Sequence, residues 1–170
     1  PSFFFVKNIF SHSQREWLSN SAHVVVDVGS QDGGVARYLA QAANSLTSVN
    51  LIYEVNSFPE SVSEPHAFQL FLSNVKQENT AGLIVPVRMN SHQAASALNV
   101  VADFIKIEAT SDNIYSDILA WYPHLSQTGI LAGNNWNDSS VALGVMQAAE
   151  SLDLSVNINA SVWYFVKNAP

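Results

Sequence analysis

The sequence contains no cysteine among its 170 residues. That absence excludes a disulfide framework, a thiolate metal site and a cysteine nucleophile, and it fits a reducing, cytoplasmic compartment. Basic residues are scarce: seven Lys and Arg stand against fourteen Asp and Glu, a net charge of −7. Phosphate neutralisation needs clustered cations, so neither nucleic acid nor an anionic membrane is an expected partner. No apolar run approaches the roughly 20 residues that a bilayer span requires. The opening burst PSFFFVKNIF is broken by Lys7, with no cleavage pattern after it. Repeats, linkers and low-complexity tracts are also lacking, which predicts a single domain over 1–170, with a short helical lead-in within 1–20. With 48% hydrophobic residues, a chain of this length can build one sizeable core.

What is there is a rhythm of apolar runs and helical patterns. The runs are HVVVDV (23–28), VNLIYEV (49–55), AGLIVPV (81–87), ADFIKIEA (102–109) and GILAGN (129–134). Helix patterns fall between them, at about 34–46, 66–78, 91–100, 113–124 and 138–152. Apolar strands separated by helices predict a parallel sheet covered on both faces. The last segment differs, because LSVNINA and SVWYFVKN are separated only by a turn and should form an antiparallel hairpin at one edge. The predicted fold is therefore α/β: a Rossmann-like, doubly wound sheet of about seven strands, mostly parallel, with a C-terminal antiparallel hairpin. Pro86 cannot donate to a ladder, which puts the third strand at or near an edge.

In such a sheet, ligands bind beyond the carboxyl ends of the strands, beside the first. The first exit reads GSQDGG, where Gly29 permits a tight turn and Gly33 or Gly34 lets backbone approach a ligand. It matches neither the dinucleotide fingerprint nor a P-loop. At the second exit, Glu54 either takes the two hydroxyls of a ribose or is a solvated acid at a strand end. Lys106, inside an apolar strand, is costly unless paired, and alternation puts it on the same face as Glu108. It reads either as a structural partner of Glu108 or as a catalytic base.

VVVDVGSQDGG followed by LIYEVNS resembles the first two motifs of class I S-adenosylmethionine-dependent methyltransferases. Within that superfamily the sequence is most similar to O-methyltransferases of the catechol and caffeoyl-CoA type and to antibiotic-sugar methyltransferases. The resemblance covers about residues 20–167. It implies that Gly29, Ser30 and Gly33 line the methionine part of S-adenosylmethionine, with Asp27 beneath it and Glu54 on the ribose. It puts Asn90, Ser91 and His92 around the adenine; on its own, His92 also reads as a surface residue at a helix start.

The same resemblance implies Mg²⁺, held by Glu108, Asn134 and Asn135, which would anchor two adjacent oxygens of the acceptor for in-line displacement at the sulfonium methyl. Only Glu108 of these three is anionic, and a hard cation prefers anionic oxygen, so metal affinity should fall below that of the family. The basic residue that catechol-type enzymes carry three positions after the fourth-strand acid is replaced by Ser111. Lys106 and Glu108 are the expected catalytic pair. Trp136 is placed to wall the acceptor pocket, whereas Trp17, Trp121 and Trp163 read as packing.

The expected function is methyl transfer to an oxygen of a small molecule, a sugar or a phenol, with homo-oligomerisation open. The alternative is a methyltransferase fold that has lost catalysis and serves as a cofactor- or partner-binding module.

Overall fold

HVVVDV forms β1 (His23–Val28) and VNLIYEV forms β2 (Val49–Val55), both with the bounds that the sequence predicts. The structure, a computed structural model, describes residues 23–29, 49–58, 66–77, 82–108 and 113–167. The predicted lead-in at 1–20 and helix at 34–46 lie outside the described residues. After β2 come α1 (Ala67–Gln77), β3 (Ile84–Val87), α2 (Ser91–Ala97), β4 (Ala102–Ile107), α3 (Ile114–Trp121) and β5 (Leu125–Gly133). The chain then forms α4 (Ser139–Leu152), β6 (Asn157–Asn159) and β7 (Val162–Val166).

The seven strands make one sheet in the order β3-β2-β1-β4-β5-β7-β6. β1 to β5 run parallel, whereas β7 is antiparallel to β5 and pairs with β6 as the terminal hairpin. β3 is an outer strand, where Pro86 interrupts no ladder. The order reverses between β1 and β4, the switch point where an open α/β sheet receives ligands.

Register sorts the two faces. Val25, Ile52, Phe104 and Ile130 stand in one cross-strand row, and Phe71 and Val75 of α1 pack on it. Val26, Ile105, Leu131 and Phe165 point the other way, into a core closed by Ala94 of α2, Ile118 and Trp121 of α3 and Val145 of α4. Each such side chain gains roughly 1.5–3 kcal/mol by leaving water.

Several boundaries move from their predicted places. β5 starts at Leu125, four residues early, because Leu125 pairs with Ala102 while the exposed Gln127 and Thr128 hide the strand from an apolar pattern. β3 begins at Ile84 since Gly82 and Leu83 form a turn. α2 stops at Ala97: Leu98 is extended (φ −84°, ψ 122°) and leads toward β4. α3 gives way at Tyr122 to a 3₁₀ turn, Tyr122–His124, that contains Pro123, which has no N–H for an α-helical bond.

Candidate functional site

The register that builds the apolar row puts a second row two residues nearer the carboxyl ends, on the same face. Asp27 pairs with Glu54 on one side and Lys106 on the other, and Lys106 pairs with Ala132. Asp27 and Glu54 are fully buried and Lys106 is 1% exposed. Three ionisable groups thus lie side by side across β2, β1 and β4 at the switch point. Sequence alternation foresees the pairing of Lys106 with Glu108; the partner across the sheet, Asp27, becomes visible only when strands are paired.

Lys106 Nζ donates to Glu108 Oε2 and stands 3.5 Å from Asp27 Oδ1. Glu108 Oε1 accepts from Asn134 Nδ2 at 2.7 Å. Burial pushes the Asp27 carboxyl above its ordinary value, against the opposing pull of Lys106. Burial alone would lower Lys106, but Asp27 and then Glu108 attract its charge, and the ammonium is held above its ordinary value. Asp27 and Glu108 thus share one ammonium.

Gly29 lies directly above this row. Its φ of +88° is strained for an L side chain, and a Cβ there would come within 3.2 Å of Glu108 Cβ. Gly29 N donates to Val55 O at 2.9 Å and Glu108 N to Val28 O at 2.8 Å, which ties the exits of β1, β2 and β4 together. The chain bends at Gly29; the rest of the predicted tight turn, with Ser30 and Gly33, lies outside the described residues.

At the β2 exit, Asn56 Oδ1 accepts from Phe58 N at 2.9 Å, and the Phe58 ring packs in tilted contact with Phe68 and Phe71 at centroid distances of 5.1 and 5.0 Å. Arg88 lies 4.4 Å over the Phe68 ring. Asn56 is buried and its Nδ2 has no acceptor among the described residues. The sequence signal for this asparagine is its two-residue spacing from Glu54 in YEVNS.

The predicted adenine residues have side chains engaged elsewhere. Asn90 caps α2 in a capping box with Gln93. Ser91 Oγ accepts from Trp121 Nε1 at 2.9 Å, and His92 Nε2 lies 3.2 Å from Ser116 Oγ and 3.5 Å from Asp117 Oδ1, joining α2 to α3. Burial raises Asp117 above its ordinary value, against the hydrogen bond from Ser91. Trp136 packs on the core that α2, α3 and α4 close, the face opposite the charged row.

The residues expected to bind Mg²⁺ do not fit it. Both Glu108 oxygens are taken, one by an ammonium and one by an amide N–H. Asn135 sits in a left-handed turn (φ 59°) whose carbonyl accepts from Asp138 N at the start of α4. Among the described residues no group of three His, Asp or Glu side chains could hold a metal ion. No helix among them is long and apolar enough to cross a membrane.

No protein-family profile matches the sequence, and no curated protein matches it. Solved structures do. A candidate caffeoyl-CoA O-methyltransferase from Staphylococcus aureus superposes with a TM-score of 0.70 at 12% identity, over 98% of this chain and 89% of that one. The precorrin-6y C5,15-methyltransferase of Geobacter metallireducens gives 0.67 at 14%, over 96% and 92%. TomG, an O-methyltransferase of Streptomyces achromogenes solved with S-adenosylmethionine, gives 0.66 at 12%, over 94% and 82%. At these identities the likeness is one of fold: the Rossmann-like, seven-stranded α/β sheet.

Proposed function

We propose that this chain is an S-adenosylmethionine-dependent methyltransferase that acts on an oxygen of a small molecule, a sugar or a phenol. The observation that carries the reading is Glu54: a fully buried carboxyl at the end of β2, beside the Gly29 turn and next to the switch point. Glu54 accepts the ribose hydroxyls, Gly29 leaves room for backbone to approach the methionine part with Ser30 and Gly33, and Asp27 lies beneath. Asn56 Nδ2 offers a donor at the same exit. Asn90, Ser91 and His92, at the β3 exit, would lie around the adenine.

The cofactor supplies an electrophilic methyl on its sulfonium. The chain must orient the acceptor hydroxyl in line with that methyl and receive its proton. Glu108 takes the proton. Lys106 would have to be neutral to act as base, whereas its carboxylate neighbours favour the ammonium. A net charge of −7 supports a small acceptor over nucleic acid, and the lack of cysteine supports a cytoplasmic setting.

One observation favours a second reading, a cofactor-binding module without catalysis: both Glu108 oxygens already have internal partners. Calorimetric titration with S-adenosylhomocysteine, in EDTA and in Mg²⁺, tests the donor site. Binding is expected in both, and Glu54→Ala should abolish it; no binding in either condition overturns the proposal. Methyl transfer from labelled S-adenosylmethionine to a panel of sugars and phenols then separates enzyme from module.

A further inference from the structure

The mismatch between the metal expected from the sequence and the groups that stand at its place carries a specific consequence. A divalent ion at Glu108 would need carboxylate and amide oxygens turned toward one point. Instead, Lys106 Nζ reaches Glu108 Oε2 from below while keeping Asp27 Oδ1 at 3.5 Å. A carboxylate can only accept, so Asn134 must present its N–H to Glu108 Oε1 at 2.7 Å, which turns the amide oxygen away from the carboxylate. The Asn134 main chain is fixed in turn: its carbonyl accepts from Trp163 Nε1 at 3.0 Å, and a Cβ on the preceding Gly133 would come within 2.2 Å of the Trp163 ring. A second cation beside the buried ammonium would be repelled by it.

We infer that Lys106 is a built-in cation that takes the place of a divalent ion at this site, acting as a positioning residue that holds the Glu108 carboxylate, and that the protein binds neither Mg²⁺ nor Mn²⁺ there. Neutral Asn134 and Asn135 follow from this, because acids at those positions would add to a site with three carboxyls and one ammonium. The inference rests on the methyltransferase reading only for what Glu108 is held to do.

Mn²⁺ binding to the full chain, read by electron paramagnetic resonance of the free ion, tests it. Wild type and Asn134→Asp should leave the free-ion signal untitrated. Lys106→Met combined with Asn134→Asp should bind at least about tenfold more tightly than Asn134→Asp alone, since a buried positive charge leaves and an anionic ligand is present, and adding Glu108→Gln should remove the gain. Lys106→Gln with Asn134→Asp provides a second, polar replacement. Wild-type binding that Glu108→Gln abolishes overturns the inference, as does a folded double variant that gains nothing. Should neither double variant fold unaided, refolding in Mn²⁺ is expected to restore the helical circular dichroism; failure to do so also overturns it. S-adenosylhomocysteine binding in EDTA, measured on the same wild-type sample, reports on the methyltransferase reading independently of the Mn²⁺ result.

Discussion

The two ends of the central strands both bury charge, and they handle it differently. At the amino end, Asp103 of β4 accepts from Val24 N at 3.1 Å and Ser126 Oγ at 2.9 Å, and His23 Nδ1 lies 3.4 Å away. One carboxylate there meets several donors from β1 and β5. At the carboxyl end, Asp27 and Glu108 share the ammonium of Lys106, Glu54 lies beside Asp27, and the amide of Asn134 is a further donor to Glu108. The amino end has a donor for each carboxylate oxygen and works as a cross-strand pin. At the carboxyl end buried carboxyls stand beside one buried ammonium, at the edge where an open α/β sheet receives ligands.

This contrast predicts different responses to mutation. The largest effect is expected from Lys106→Met, which leaves buried carboxylates without their counter-ion; a loss of about 3–5 kcal/mol in urea unfolding is expected. Next comes Asp103→Ala at the other end. It strands Val24 N and Ser126 Oγ and should cost about 1–3 kcal/mol, with S-adenosylhomocysteine affinity unchanged. A large drop in affinity from Asp103→Ala would erase the distinction between the two ends.

Much of the fold was legible because β1, β2 and β4 are dense in Val and Ile and end at the sheet's carboxyl edge with an acid or a glycine, as HVVVDVG and ADFIKIE do. The hairpin was legible from the turn-length gap between two β-rich segments. Less visible was the start of β5, where Gln127 and Thr128 face solvent, and the brevity of β6, whose three residues are all exposed. The site was half legible. Gly29, Glu54 and the Lys106–Glu108 pair follow from local pattern, whereas Asp27 with Lys106 and His23 with Asp103 are contacts across about 80 residues of chain, set by strand register alone. Asn90, Ser91 and His92 are expected around the adenine from the family resemblance; their position also opens a helix, and their side chains make capping and helix-to-helix bonds that the sequence pattern does not reveal.

Glu54→Gln sharpens the comparison further. It replaces a buried carboxyl beside Asp27 with a neutral amide of similar shape, so stability should stay within about 1 kcal/mol of wild type or rise, while S-adenosylhomocysteine affinity falls at least about tenfold, the ratio that losing one strong hydrogen bond to a charged group gives. A variant that lost stability and kept affinity would show Glu54 to be a structural pin like Asp103.

The smallest effect is a slope with pH. Burial raises Asp27 above 3.8, so the folded protein holds a proton that the unfolded chain releases. The stabilisation linked to that proton is fully present below pH 3.8 and is lost as pH rises through the raised value in the folded state. Asp27→Asn stays neutral throughout, so it should lack this slope: the urea midpoint of wild type should fall relative to that of the variant between pH 4 and pH 7. Asp103 offers the control, because Asp103→Asn alters an end of the sheet that does not contain the raised group and should leave the slope in place. If wild type and Asp27→Asn run parallel across that range, Lys106 fully offsets the burial of Asp27, and the two ends of the sheet do not differ in how they hold charge.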